Sequence, residues 1–163
     1  PAPVNDETRE NVRKVVFHAL DSLGVRNGAS HSELKIAKDG TIKIIEIGAR
    51  MGGDFIGSDL VHISTGIDFV RAVIQIALGE KPDLEPDRKP MIAGVRFVFG
   101  QDDVDVFHKI KKEHPEYIVE YSIDDDLSGD VTDSSTRFGY YIMQAASMDD
   151  VVAYLPKTVS EIN

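Results

Sequence analysis

The chain has 163 residues, 42% of them hydrophobic, no cysteine and a formal net charge of −10, a composition that suits a globular protein with one substantial core or two small ones. No apolar run approaches the roughly 18 residues of a membrane span, and no charged-then-apolar leader of the secretory type is seen, so the expectation is a cytoplasmic protein. Without thiols there is no disulfide, thiolate metal site or cysteine nucleophile, and the acidic balance opposes a general affinity for nucleic acid, whose phosphates need clustered Lys and Arg.

From the N-terminus, Val12, Val15, Val16, Ala19, Leu20 and Leu23 form the stripe of an amphipathic helix from Asn5 to Leu23, stopped by Gly24. The stretch HSELKIAKDGTIKIIEIG reads as two strands joined by a two-residue Asp39-Gly40 hairpin loop, because Asp-Gly tolerates the positive φ angles of a type I′ turn. A loop of that length pairs Lys38 with Thr41, Leu34 with Ile45, Glu33 with Glu46 and His31 with Gly48. A loop around Arg50 follows, then a short helix from Ile56 to His62 and a longer one from Ile67 to Leu78. In the longer helix Val70, Val73, Ile74, Ala77 and Leu78 are expected in the core, Asp68 suits the N-terminal dipole, and Gly79 serves as the cap.

Pro82, Pro86 and Pro90 among charged residues read as a linker. Beyond it, Met91 to Phe99 is a strand by its Val and Phe content. Val104, Phe107 and Ile110 form a helical stripe with Asp102 and Asp103 at its start and Lys111 and Lys112 at its end. Ile118 to Ile123 and Phe138 to Ala145 are further strands. Ser147 with Asp150 opens a last helix carrying Val151, Val152, Leu155 and Val159. Asp124, Asp125 and Asp126 lack calcium-loop spacing and read as a solvated turn. His18, His62, His108 and His114 fall in no zinc-binding spacing.

Glu33 opposite Glu46 is the pairing with chemical content. Directly opposed Cβ atoms lie about 4.5 to 5.5 Å apart, and like charges there repel. On a solvated sheet face water and salt weaken that repulsion; otherwise a hard divalent cation with oxygen ligands is the simplest neutraliser. Just past the second acid, Arg50 offers a planar fork for phosphate oxygens, and Gly52 and Gly53 let backbone come close to a ligand. Acids, arginine and glycines together suggest a nucleotide-phosphate site.

These residues resemble a known family. The string from His31 to Leu84, with HSE, EIGARMGG and TGIDFVRAVIQIALGEKPDL, is similar to the C-terminal part of an ATP-grasp domain, nearest the carboxylate-amine ligases grouped with carbamoyl-phosphate synthase, biotin carboxylase and amino-acid ligases. The resemblance implies an α+β fold: the C-terminal part of the ATP-grasp domain over residues 1–87, then a smaller strand-rich α+β lobe over 88–163. It implies ATP and Mg2+ as cofactors, Glu33 and Glu46 as metal ligands, and Arg50 as the catalytic residue that stabilises phosphoryl charge. Gly52, Gly53 and Asp54 would position a substrate. Where the family usually carries the Asn of E-x-N-x-R, this chain has Gly48. His31 across from it is a candidate contact to substrate, or a histidine packed over a glycine.

The implied activity is activation of a small carboxylate as an acyl-phosphate and its joining to an amine. A purine-pathway carboxylase or formyltransferase would share the metal site, and a non-catalytic nucleotide-binding module would keep only the shape. No glycine-rich phosphate loop lies upstream of Asn5. The chain is therefore expected to be a carboxyl-terminal piece, inactive alone, whose partners are the missing N-terminal domains of the same protein. The expected partners include neither nucleic acid nor membrane, and a homo-oligomer is left open.

Overall fold

The structure is a computed structural model and describes residues 4–154. It divides into two compact units, Pro1–Val61 with Ile67–Glu85 and His62–Gly66 with Pro86–Asn163. Leu155 and Val159, expected on the last helix, lie outside the described residues.

The first unit begins with α1, Asp6–Ser22, whose N-cap Asn5 accepts a hydrogen bond from Thr8 N at 2.8 Å. At its other end Gly24, at φ 72, closes the helix, with its own N–H and that of Val25 bonded back to Asp21 and Leu20 at 3.0 Å each. Leu23, expected on the buried stripe, is exposed, because it has become the helix cap and no longer follows the helical period.

The hairpin consists of β1, His31–Ile36, and β2, Ile42–Gly48. Its loop has three residues, not two. Ala37 N donates to Thr41 O and Gly40 N to Ala37 O, each at 2.9 Å, with Gly40 at φ 83. Lys38, Asp39 and Gly40 thus form the loop, which ends in a left-handed residue. Thr41 N donates to Asp39 Oδ1 at 2.9 Å, and this bond holds the Asp39 carboxyl below its ordinary range. Lys38 accordingly does not pair with Thr41.

The longer loop shifts the register by one residue, so Leu34 pairs with Ile44, where a two-residue loop would pair it with Ile45. A bulge between Glu33 and Leu34 shifts it back, restoring Glu33 opposite Glu46 and His31 opposite Gly48. Ile45 is the extra residue of that bulge and is exposed.

The expected short helix after the Arg50 loop is a π-helix, Ile56–Leu60, running into α2, Val61–Thr65. Next comes α3, Phe69–Ala77, capped by Asp68 accepting from Arg71 N at 2.9 Å and closed by Gly79 at φ 78. Its fully buried residue is Ala72. Ile74 and Leu78, expected in the core, are 54% and 69% exposed. Ala77 is exposed as well, while Val70 and Val73 of the expected set are half-buried; the helix is apolar around more than one face, so periodicity alone does not single out the buried one.

The second unit is built on a three-stranded antiparallel sheet in the order β3-β5-β4, with β3 Ile92–Phe97, β4 Ile118–Ile123 and β5 Gly139–Ala145. Helix α4, Gln101–Glu113, lies between β3 and β4 in the chain. Its Val104, Phe107 and Ile110 join Val98, Phe138, Tyr141 and Met143 in one core. Helix α5, Met148–Val152, opens with the Ser147 and Asp150 capping box expected from the sequence.

Asp103, in the first turn of α4, is buried and accepts from Arg96 Nε at 3.0 Å and Phe99 N at 2.7 Å, a burial tolerable only because the charge is paired. Residues 62–66 belong to this unit despite their place in the chain. Met91 N bonds Ile63 O and Asp87 N bonds Gly66 O, each at 2.9 Å. Gly66 is at φ 79, and a Cβ there would strike the carbonyl of Arg88.

Candidate functional site

The residues singled out in the sequence gather at the open end of the hairpin in the first unit. Glu33 and Glu46 are direct partners across β1 and β2, with side chains 56% and 57% exposed. Each has a basic neighbour. His31 Nε2 lies 3.4 Å from Glu33 Oε1, and Arg50 Nη2 lies 3.9 Å from Glu46 Oε1. Arg50 also donates from Nη1 to Met51 O at 2.7 Å, which fixes one edge of its fork to the loop.

The glycines around this end differ in what they make possible. A Cβ at Gly52 would come within 2.9 Å of both His31 Nδ1 and Ile56 Cβ, so the space it leaves is filled by the protein itself. A Cβ at Gly53 would meet nothing within 4 Å. A Cβ at Gly48 would lie 3.4 Å from Arg50 Cγ and 3.7 Å from its Cζ, because the arginine side chain passes over the end of β2. His31 therefore faces Gly48 in register, as expected, while its ring packs against Gly52.

Two features here went unanticipated. Asp54 and Phe55 both hold positive φ, 49° and 63°, a conformation costly for side-chain-bearing residues and one that clusters at ligand sites. They lead directly into the π-helix, where Leu60 N reaches back to Phe55 O at 2.9 Å. The Gly-Gly pair was a signal that the chain turns sharply here. Nothing in the sequence marked the next two residues as left-handed.

The donor set can be tested against a divalent cation. Among the described residues no three His, Cys, Asp or Glu side chains gather to hold a metal ion, so these residues by themselves form no complete cage. Two adjacent carboxylates do suit Mg2+, which is usually bound through one or two carboxylates, with phosphates and water completing its shell. The pair fits a cation that arrives with a phosphate ligand.

A cavity of about 560 Å3 in the same unit is lined by Ala29, Ala49, Arg50, Met51, Val73 and Ile76, largely apolar with one guanidinium. A larger one, of about 710 Å3, lies in the second unit against Arg96, Phe99, Lys109 and Tyr154 and includes neither acid. Size therefore does not mark the chemistry here. Among the described residues no single helix is long and apolar enough to cross a membrane.

No family model and no curated protein matches the chain. Solved structures do. The L-amino acid ligase from Bacillus licheniformis is 28% identical with a TM-score of 0.73, and the match covers 94% of this chain and 40% of that one. Phosphoribosylglycinamide synthetase from Anaerococcus prevotii gives 20% identity and a TM-score of 0.72 over the same shares. The biotin carboxylase domain of 2-oxoglutarate carboxylase from Hydrogenobacter thermophilus, solved with MgADP and bicarbonate, gives 18% and 0.54 over 89% of this chain and 34% of that one. The chain thus spans about 40% of the length of the first two. Its α+β fold is shared with the aligned part of each.

Proposed function

We propose that the chain is the C-terminal portion of an ATP-grasp protein, an ATP-dependent ligase that activates a small carboxylate as an acyl-phosphate and joins it to an amine. The observation that carries this reading is the direct pairing of Glu33 with Glu46 beside Arg50. The 28% identity to an L-amino acid ligase supports the carboxylate-amine class. A larger protein supplies the remaining domains, and the portion described here is inactive by itself.

In this reading Glu33 and Glu46 hold Mg2+, and ATP supplies the nucleotide, as the MgADP complex of a structural neighbour suggests. When bound, the cation neutralises phosphate charge and orients the phosphates. Arg50 presents its fork to the phosphoryl oxygens, where charge develops during transfer. Its Nη1 donates to Met51 O, which ties one edge of the fork to the loop, while Nη2 lies 3.9 Å from Glu46 and is left exchangeable. Gly53 leaves backbone open to a substrate, and Asp54, fixed in a left-handed conformation, sets the direction in which the loop leaves the site. Gly52 contributes by seating His31, which in turn touches Glu33.

A second reading, a nucleotide-binding module without catalysis, is favoured by one observation: Gly48 leaves the strand end without a side chain where the family usually carries an amide. The experiment that separates the two is Glu46→Gln in the intact protein. ATP-dependent phosphate release should fall to background while the far-UV circular dichroism is unchanged. Undiminished release would remove Glu46 from the chemistry, and absence of release from the wild type with every tested carboxylate would favour the module.

A further inference from the structure

Each acid of the pair already has a basic neighbour, and each basic neighbour rests on a glycine. His31 stands 3.4 Å from Glu33 and sits over Gly52. Arg50 stands 3.9 Å from Glu46 and passes over Gly48, where a Cβ would be 3.4 Å from its Cγ, 3.6 Å from Nε and 3.7 Å from Cζ. A cation site whose carboxylate faces a resident cation contains its own competitor. The Arg50 contact is long and both side chains are more than half exposed, so it is weak and readily exchanged. Phosphate oxygens offer a guanidinium two parallel bonds, which a single carboxylate oxygen at this distance does not.

We propose that Arg50, seated by Gly48, is a counterion of Glu46 that holds divalent cations off the acid pair until the phosphates of a nucleotide draw the guanidinium away. The inference rests on the reading of Glu33 and Glu46 as cation ligands. Its consequence is an order of events: the cation enters with the nucleotide and binds poorly before it. Gly48 is then a positioning residue. Its lack of a side chain costs the site a donor and in exchange gives the arginine its place.

The test is a titration of the intact protein with Mn2+ in the absence of nucleotide, with free Mn2+ read by electron paramagnetic resonance. Removing the competitor in Arg50→Ala should tighten Mn2+ binding by about threefold or more, the scale expected of an exposed ion pair. Gly48→Val leaves every charge in place but fills the seat, and should tighten binding in the same way. Gly48→Ala, whose Cβ fits at ordinary contact distance, should stay near the wild type. In an Arg50→Ala background Gly48→Val should add nothing, an outcome that a general structural effect of the valine would not give. With ADP present, the advantage of Arg50→Ala should vanish or reverse.

Unchanged or weaker nucleotide-free binding in Arg50→Ala, or an additive effect of Gly48→Val, would overturn the counterion role. Glu46→Gln separates this failure from a deeper one. If it weakens Mn2+ binding, Glu46 remains a ligand whatever Arg50 does; if it has no effect, both the counterion and the ligand reading fall.

Discussion

Gly52 and Gly53 are neighbours in sequence with opposite constraints. The hydrogen at Gly52 faces His31 Nδ1 and Ile56 Cβ, both 2.9 Å from where a methyl group would stand, whereas Gly53 faces open space. Gly52→Ala should therefore cost roughly 1–3 kcal/mol, the range for forcing a methyl group into a filled site, and should displace His31 from Glu33. Gly53→Ala should instead stabilise by roughly 0.4–1 kcal/mol, since its backbone lies outside the left-handed region, nothing stands in the way and alanine restricts the unfolded chain. Urea denaturation of the two variants checks both values, and equal losses would contradict the packing described for this loop. The same residues show where sequence reading stops. A glycine pair announces a permissive backbone, but only the packed neighbours tell which of the two faces open space and which is filled by the protein itself.

Asp39-Gly40 was legible as a turn, and alternation in HSELKI and IKIIEIG was legible as strands. The pairing of Glu33 with Glu46 followed from a two-residue loop that does not exist. The true loop has one residue more, and the bulge at Ile45 offsets it, so two departures cancel at the acids and leave Leu34 and Lys38 misassigned. A bulge has no reliable residue signature, because Ile45 resembles any strand residue and is expelled by the geometry of its neighbours. In the second unit, β5 sets Tyr141 into the core with its hydroxyl unpartnered among the described residues. Burial pushes that hydroxyl up to about 12 from 10.0. Between those values the unfolded chain has lost a proton that the folded chain keeps, so stability is unaffected below pH 10 and falls as pH rises toward 12. Tyr141→Phe should be neutral or slightly stabilising at pH 7, since it removes an unsatisfied buried group, and should reduce the alkaline loss. Thermal unfolding from pH 7 to pH 11 checks this. A variant markedly weaker at pH 7 would mean the hydroxyl has a partner after all.

The two units differ in how completely each one covers its own apolar surface. The second holds a contiguous core of seven buried residues around Phe107 and Tyr141. In the first, the fully buried described positions are Gly57 and Ala72, while Phe17, Ile45, Ile74 and Leu78 are each more than half exposed. A unit with so little of its own core suits a place in a larger protein, consistent with a chain that spans 40% of its structural neighbours. Opening free energies follow buried contact, so amide exchange of this chain should be distinctly slower in β3, β4 and β5 than in β1 and β2. Equal protection would show that the hairpin unit is stable without further cover. Composition bounded the molecule, and the Glu33 to Asp54 segment singled out residues that the hairpin does bring together. The assignment of residues 62–66 to the second unit depends on hydrogen bonds to Asp87 and Met91, contacts across some 25 positions that no local pattern reports.

Whether Glu33 and Glu46 share one cation is visible by anomalous scattering. In crystals of the intact protein grown with ADP and Mn2+, the manganese signal should lie about 2.1 Å from an oxygen of Glu33 and an oxygen of Glu46, near the distance expected for a small divalent cation, with phosphate oxygens filling the shell. A manganese ion held on the nucleotide alone, with both glutamates turned away from it, would mean that the acid pair is no cation site.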